Sequence, residues 1–392
     1  MRLTRSDRSV VADWWFSVDR AMLGAILLLM VLGMIVSLAA SPAVAQKIGQ
    51  EPLYFFKRHL IFLAPAALLL FGSSMLTPKL IRRAGLALFM GGIILMLLAM
   101  AQGIEKNGAV RWLIFGGGQS LQPSEFVKAG FVVLTAWLFS EAVKRPEMPA
   151  LPLAMGLLLV FVSLLVLQPD IGQASLIVLV WSGLFFLAGY SLIWIALLGA
   201  ASLGAFAAAY FMIAHVRSRV DRFLDPAQND THQTDTALAA FREGGWFGRG
   251  PGEGTVTPKL PDAYTDYIFA VIAEEFGLIF CLFLVCLYAF IIWRGLSAAM
   301  RSRDPFIRLA LSGLMMLFGF QTLINMAVNI DMMPAKGMTL PFLSYGGSSL
   351  TAIALTMGLA LGLARRRPEP VPIYRSPPNM AAHEVSPGAS VP

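Results

Sequence analysis

The feature that most constrains this chain is a series of long apolar segments separated by charged or Gly- and Pro-containing stretches. Several of them approach or exceed the roughly 17–20 residues that an α-helix needs to cross a bilayer core. Hydrophobic residues make up 57% of the 392 positions and charged residues 14%, whereas a soluble domain has roughly 25% charged residues. The ten candidate segments are 21–40, 59–75, 84–101, 126–140, 151–167, 171–190, 192–214, 267–293, 306–330 and 350–364. The sequence therefore predicts an all-α integral membrane protein with about ten transmembrane helices.

Lysine and arginine are concentrated at one side of these segments, which predicts the orientation. With both termini cytoplasmic, the inner loops and tails hold Arg2, Arg5, Arg8, Arg20, Lys79, Arg82, Arg83, Lys144, Arg145, Arg294, Arg301, Arg303, Arg308, Arg365, Arg366, Arg367 and Arg375. The shortest and weakest segment, 126–140, carries Lys128, and this orientation requires it to cross. An even number of spans with both termini cytoplasmic follows, with a large outer loop at about 215–266 between helices 7 and 8.

Three regions are expected along the chain. Residues 1–20 form a cytoplasmic segment, 21–364 a single membrane domain, and 365–392 a proline-rich, disordered cytoplasmic tail. Basic loops beside anionic lipid account for the net charge of +7, so we expect membrane lipid and no nucleic acid as a partner.

Asp266 is the most informative single residue. It lies where the long outer loop meets an apolar segment, and partial desolvation there would raise its pKa and suit it to accept a proton. The alternative is that Asp266 only caps the helix N-terminus. Two turns further on, Glu274 shares roughly the same helix side and must face protein or water, which makes it a second candidate.

Other candidates for binding a substrate lie in the outer segments. Lys336 is a single cation in an apolar loop and either snorkels to lipid or anchors a phosphate, and Arg111 beside Trp112 either marks the interface or binds phosphate. Hydroxyl and backbone N–H groups at a helix start offer an anion site at Ser344, Tyr345, Gly346, Gly347 and Ser348.

Several polar residues have structural interpretations. Ser124 is a plausible N-cap, Glu125 and Lys128 form an i,i+3 pair, and Asp170 is expected to cap a helix. Asn325 and Asn329 share a helix face and can hydrogen-bond to neighbouring helices. The glycines of 241–254 favour a flexible loop, with an anion-binding nest as the alternative.

Five motifs in order resemble the SEDS family (shape, elongation, division and sporulation) from the first predicted span to the tenth. They are R-W near Q-P-S-E-F-V-K, Q-P-D-I-G, G-G-W-F-G, L-P-D-A-Y-T-D-Y-I-F-A-V-I-A-E-E-F-G and P-F-L-S-Y-G-G-S-S. A-K-G-M-T and R-F-L-D-P are more typical of the cell-division branch than of the elongation branch. Three positions depart from the family pattern: Tyr264 stands in place of a more usual histidine, Tyr267 in place of the usual phenylalanine of T-D-F, and Pro258 in place of a glutamate found in some members.

The resemblance implies a peptidoglycan glycosyltransferase that polymerises lipid II on the outer face of the bacterial inner membrane, at the division septum. It also implies that Asp266 is the essential aspartate and Lys336 a functional cation. The implied partners are lipid II, an FtsI-like class B penicillin-binding protein and other divisome proteins.

Three alternatives stay open: an elongation polymerase, a lipid II flippase, and a scaffold that recruits a transpeptidase. Polar residues within the spans, such as Gln321, Asn325 and Asn329, are equally typical of a transport path. We expect no metal-ligand set and no certain cofactor, although a divalent cation could accompany the diphosphate.

Overall fold

The computed structural model describes residues 9–47, 49–103, 110–115, 119–145, 147–212, 217, 221, 232–334 and 337–366. These residues are almost entirely helical. The helices are α1 (Val10–Ser17), α2 (Arg20–Lys47), α3 (Tyr54–Ser74), α4 (Pro78–Gln102), α5 (Pro123–Lys144), α6 (Ala150–Leu167), α7 (Ile171–Leu187), α8 (Leu192–Met212), α9 (His232–Gly244), α10 (Ile268–Arg301), α11 (Pro305–Asn329) and α12 (Gly347–Ala364), with a 3₁₀ turn at Thr257–Lys259. One antiparallel hairpin pairs β1 (Leu113–Phe115) with β2 (Gln119–Leu121).

Each of the ten predicted segments coincides with one apolar helix among α2–α8 and α10–α12. Among the described residues, eight of these helices, α2–α6 and α10–α12, have the length and composition to cross a membrane, and α7 is a shorter apolar helix. This confirms the all-α membrane architecture. The number of crossings, the cytoplasmic placement of both termini and the limits of the three regions stay predictions, and the tail from residue 367 lies outside the described residues.

The weakest predicted span is a full helix, because α5 extends over 22 residues from Pro123 to Lys144. Pro123 occupies its first turn, where a proline fits well, and Gln122 is the N-cap residue. The prediction that Ser124 caps this helix was therefore wrong; its hydroxyl is buried inside the first turn.

Two helices were not predicted. α1 is short and precedes the first span, and α9 lies inside the outer loop that we expected to be irregular. Neither has a long apolar run, so the hydropathy pattern that identified the spans could not reveal them. α9 packs against α10 and α11, and this contact with the bundle stabilises it.

The centre of the bundle is formed by α5, α11 and α12, which are buried over most of their length. The surrounding helices expose apolar side chains such as Ile61, Leu68 and Ile193, as expected of surfaces that contact lipid. All the predicted site residues that the structure describes belong to α5, α10, α12 or the segments just before them.

The glycine-rich loop is joined to α10 by exchanged main-chain hydrogen bonds, an arrangement that we call the Gly277 junction (residues 245–250 and 274–279). Gly277 interrupts the helix with φ 83° and ψ 172°. The amides of Arg249 and Gly250 donate to two consecutive helix carbonyls at 2.9 and 3.0 Å. The amides of Leu278 and Ile279 donate back to loop carbonyls at 3.0 and 3.2 Å. The main chain of residues 245–250 is therefore held in a fixed position against α10.

Candidate functional site

Asp266 lies at the end of a tight turn, residues 261–267, that leads into α10. The carbonyl of Asp262 organises this turn by accepting hydrogen bonds from the amides of Thr265 (3.0 Å), Asp266 (3.1 Å) and Tyr267 (3.3 Å). Asp262 itself has φ 50°, a left-handed conformation that aspartate tolerates better than most residues. The hydrogen bonds that close the turn are therefore all formed between residues of the turn itself.

Other elements then fix the last part of the turn in place. The carbonyl of Tyr264 accepts from the amide of Tyr345 at 2.8 Å, and that of Thr265 accepts from the Ser344 hydroxyl at 2.5 Å. The carbonyl oxygen of Asp266 accepts hydrogen bonds from two side-chain amides of α11, Nδ2 of Asn325 and Nδ2 of Asn329, each at 2.9 Å. Three consecutive carbonyls are thus held from outside the turn.

The side chain of Asp266 does not cap α10. Tyr267 is the N-cap residue and makes no side-chain cap bond. The capping interpretation of Asp266 was therefore wrong, because the helix starts two residues after it. Burial, together with the nearby negative charge of Asp262, raises the pKa of Asp266 to about 7, against an opposing effect of the Arg111 guanidinium.

An ion pair between Arg111 and Asp170 lies beside this turn. Arg111 precedes the β-hairpin, and its Nη1 is 3.0 Å from Oδ2 of Asp170. The same Asp170 oxygen accepts from Nε2 of Gln122 at 3.2 Å, and the other oxygen caps α7 by accepting from the amide of Gln173 at 3.4 Å. The predicted cap role of Asp170 is confirmed, and Asp170 also positions Arg111.

Gly337 separates Arg111 from Asp266. A Cβ placed on Gly337 would be 3.8 Å from Nη2 of Arg111 and 3.8 Å from Oδ2 of Asp266. The residue has φ +65°, which favours glycine, so a side chain here would be strained and would enter the space between the two charges. Because Gly337 has no side chain, the position between the guanidinium and the carboxylate is not filled by a Cβ.

Below this region, a buried polar network joins three helices of the bundle. Nζ of Lys128 is 2.9 Å from Oε2 of Glu125 and donates to Oε1 of Gln173 at 2.9 Å and of Gln321 at 3.1 Å. Nε2 of Gln173 donates to Glu125 at 2.8 Å, and Nε2 of Gln321 donates to the carbonyl of Thr339 at 3.1 Å. The predicted pairing of Glu125 and Lys128 is confirmed, and its partners show a structural role.

The segment 344–348 packs beside the Asp266 turn; Ser344 and Ser348 are buried, and the three residues between them are half-buried. The hydroxyl of Ser344 accepts from the amide of Leu340 at 2.7 Å while it donates to the turn, and Ser348 is buried in the first turn of α12. Tyr345 contacts the rings of Phe55 and Tyr264 at centroid distances of 5.2 and 5.7 Å. The structure thus brings this segment to Asp266, but Ser344 supports the turn instead of presenting a free hydroxyl.

Two further members of the segment stand at the start of α12. Gly346 is its N-cap residue and Gly347 its first helical residue. The ring of Phe62 lies against Gly347, where an added Cβ would be 2.5 Å from the ring. A glycine is needed at Gly347 for this close packing, independently of any ligand.

Glu274 has a structural role as well. It is fully buried, and its carboxylate accepts from the amides of Thr255 (2.6 Å), Val256 (2.7 Å) and Thr257 (2.7 Å) and from the Thr257 hydroxyl (2.6 Å). Because both oxygens are engaged with the loop, Glu274 has little capacity left for a substrate. The expectation of a substrate-binding Glu274 does not fit this geometry.

Lys336 lies outside the described residues, although the next residue, Gly337, borders both Arg111 and Asp266. Within the described part of the chain, no group of three or more His, Cys, Asp or Glu side chains is arranged to hold a metal ion.

Sequence reasoning missed the ion pair of Arg111 with Asp170 and the place of Gly337 between the charges. No local signal could have found the pair, because it joins residues 59 positions apart. The A-K-G motif contained Gly337, but only the fold shows which groups it separates.

Comparison with known proteins extends over nearly the whole chain. The FtsW/RodA/SpoVE family, described as cell cycle protein, matches residues 19–369. A probable peptidoglycan glycosyltransferase FtsW of Caulobacter vibrioides is 47% identical over 365 residues, which cover 93% of each chain. A protein of the same name from Halorhodospira halophila is 36% identical over 378 residues, covering 91% of this chain and 93% of its own.

Two solved structures share the fold. A chain from a peptidoglycan synthase complex, solved for the structural coordination of polymerization and crosslinking, has a TM-score of 0.71 at 27% identity and covers 89% of this chain and 98% of its own. The rod shape determining protein RodA of Thermus thermophilus has a TM-score of 0.66 at 27% identity, covering 89% and 97%. The chain therefore belongs to the FtsW/RodA/SpoVE family, the SEDS family of its motifs, and within it most resembles FtsW.

Proposed function

We propose that this chain is a peptidoglycan glycosyltransferase that polymerises lipid II into glycan strands on the outer face of the inner membrane during cell division. The observation that carries the proposal is Asp266, held by three fixed carbonyls, with a pKa raised to about 7 and a guanidinium across Gly337. A group with this pKa is largely available as a base near neutral pH and still basic enough to accept a proton.

In the proposed reaction, the 4-hydroxyl of the acceptor sugar attacks the anomeric carbon of the donor. The bond from that carbon to the undecaprenyl diphosphate oxygen breaks, and the hydroxyl proton passes to Asp266. Arg111, and by resemblance Lys336, neutralise the departing diphosphate. Asp170 acts as a positioning residue, since it holds the guanidinium of Arg111 at 3.0 Å.

The other predicted site residues have less direct roles in the proposed reaction than Asp266 and Arg111. Tyr345, Gly346 and Gly347 adjoin the turn and, being half-buried, can line the sugar-binding surface, whereas the buried Ser344, Ser348 and Glu274 act through the segments that they hold. A divalent cation bridging the diphosphate is compatible with this chemistry, and no step above depends on one.

A lipid II flippase is the main alternative, and the structure gives its key residues other tasks. Gln321 bonds Lys128 and Thr339, while Asn325 and Asn329 bond the Asp266 carbonyl. Asn325 and Asn329 therefore support the Asp266 turn, and Gln321 belongs to the buried network of Lys128. This assignment favours chemistry at the outer end of the bundle over a path through it.

The decisive experiment is polymerisation of fluorescent lipid II by the purified protein, with and without a class B penicillin-binding protein. We expect glycan strands from the unmodified chain and none from Asp266→Asn, which keeps the size of the side chain but not its basicity. Asp331→Asn, which changes an exposed aspartate just after α11, is the matched control and should retain activity. Near-normal strand synthesis by Asp266→Asn, or transbilayer movement of lipid II without strands, would contradict the proposal.

A further inference from the structure

A large basic cavity lies at the end of the bundle opposite to Asp266. Its volume is about 730 Å³. It is formed by the α3–α4 and α10–α11 connections together with the ends of α2 and α12, and five cations line it: Lys79, Arg82, Arg301, Arg365 and Arg366. Because the 34-residue α10 begins next to Asp266 and reaches this cavity only at its other end, with Ala298 and Arg301, the cavity is distinct from the candidate active site.

The two carboxylates of this cavity do not neutralise the cations. Oδ1 of Asp19 is 2.6 Å from Nε of Arg294, which is not part of the lining. Asp304 caps α11 by accepting from the amide of Phe306 at 2.9 Å. Among the described residues, no salt bridge joins a carboxylate to Lys79, Arg301, Arg365 or Arg366, whereas Oε1 of Glu141 is 3.9 Å from Nη1 of Arg82 and the charge of Asp13 acts on Arg365. The lining holds five cations and two carboxylates and therefore has an excess of positive charge.

Specific contacts hold two of the basic side chains of this cavity in place. Arg365 donates from Nε to the Ser17 hydroxyl at 2.8 Å and from Nη1 to the carbonyl of Met75 at 3.1 Å. The guanidinium of Arg82 lies over the ring of Phe306, 4.2 Å from its centroid. These contacts fix two of the cations, whereas Lys79, Arg301 and Arg366 keep exposed side chains.

Apolar groups border the same cavity. Ala298, Ile307 and Leu363 contribute to its lining from the ends of the apolar helices α10, α11 and α12. The adjacent α1, which ends at the Ser17 that Arg365 contacts, exposes Val10, Val11, Trp15 and Phe16. A short helix with an exposed apolar face next to a bilayer-crossing bundle is typical of the membrane interface. The cavity is therefore placed at the level of lipid headgroups.

We propose that this cavity binds the phosphate group of an anionic membrane lipid, with the acyl chains beside the apolar helix ends. The positive-inside pattern alone would explain basic loops but not their convergence around one cavity whose lining holds five cations and two carboxylates. A phosphodiester supplies the missing negative charge, and its position at the bilayer surface matches the mixed cationic and apolar lining.

The test uses the full-length protein in detergent, with native mass spectrometry of retained phosphatidylglycerol against phosphatidylcholine. Each basic side chain near an anionic lipid contributes about fivefold to affinity, so the double variant Arg301→Gln/Arg366→Gln should bind phosphatidylglycerol about 25-fold more weakly. The control, Arg83→Gln/Arg308→Gln, removes two exposed arginines of the same side that do not line the cavity, and it should lose much less.

A second readout guards against a folding artefact. Phosphatidylglycerol should raise the thermal midpoint of the unmodified protein and of the control, but not that of the cavity variant. Equal losses in the two double variants, or equal retention of phosphatidylcholine, would overturn the proposal. Displacement of the lipid by millimolar glycerol 1-phosphate would also overturn it, because the ligand would then be a soluble phosphate.

Discussion

Asp266 lies among charged groups whose effects on its pKa oppose one another. Burial and the negative charges of Asp262 and Asp170 raise the pKa, and Arg111 lowers it, with a result of about 7. A base must be deprotonated to act, so kcat/KM for lipid II should fall about tenfold per pH unit below pH 7 and level off above it. Asp262→Asn removes a neighbouring negative charge, so the pH at which activity falls should move lower.

The control for this shift is Glu253→Gln, which removes an exposed carboxylate of the outer loop that does not act on the pKa of Asp266. Its pH profile should match that of the unmodified protein. An Asp262→Asn profile that moves to higher pH, or does not move at all, would show that Asp266 is not the titrating base.

Substitutions of Lys336 can test whether its positive charge or only its size matters for polymerisation. If it holds a diphosphate, Lys336→Arg should keep measurable polymerisation with an imperfect fit, and Lys336→Met, similar in length but neutral, should lose it. The measurement is strand synthesis at matched protein levels, and the expected order is Lys, then Arg, then Met. If Lys336 only reaches toward lipid, the Met variant should retain full activity, which would remove the phosphate role.

At the residue scale, the sequence identified Asp266 because an ionisable group at the boundary of an apolar segment is unusual and therefore informative. It could not decide between a base and a cap, since that depends on whether the helix starts at 266 or two residues later. Glu274 was misjudged for a related reason. Its helical spacing was right, but its four hydrogen-bond donors come from residues 17–19 positions earlier.

At the scale of elements, the Gly277 junction makes a sharp prediction for stability. A Cβ on Gly277 would be 2.4 Å from the backbone nitrogen of Gly248, and the positive φ is itself unfavourable for alanine. Gly277→Ala should therefore cost about 2 kcal/mol or more of folding free energy and lower the thermal midpoint in detergent.

The matched control is Gly91→Ala in α4, where nothing lies within 4 Å of an added Cβ. Alanine is the better helix former, so this variant should be neutral or slightly more stable. Equal midpoints for Gly277→Ala and Gly91→Ala would mean that the loop yields easily and that the junction is not rigid.

Hydropathy located every long apolar helix because the bilayer imposes a minimum length on each of them. It undervalued α5, since the predicted span was short and carried the charge of Lys128. Its partners Gln173 and Gln321 lie 45 and 193 residues away, beyond the reach of any local pattern. α9 was missed for the opposite reason, because its stability depends on packing against α10 and not on its own composition.

At the scale of the whole molecule, this chain is predicted to have its longest outer segment at 215–266, about fifty residues, which is short for a domain that cross-links peptides. We expect it to work beside a single-span class B penicillin-binding protein, FtsI-like by resemblance, through packing of helices in the membrane. The two should co-purify from mild detergent. Repeated failure to do so, together with full activity of the chain alone, would count against the partnership.

The Gly277 junction has a consequence for how the outer half of the molecule opens. Loop amides at 249 and 250 and helix amides at 278 and 279 are each protected by the other segment. The loop therefore cannot detach while the helix turn stays intact, and the four amides should exchange with deuterium as one cooperative unit. Because α10 begins next to Asp266, an opening large enough to release the loop should also loosen the turn that holds Asp266, so local unfolding and loss of the proposed activity should occur together.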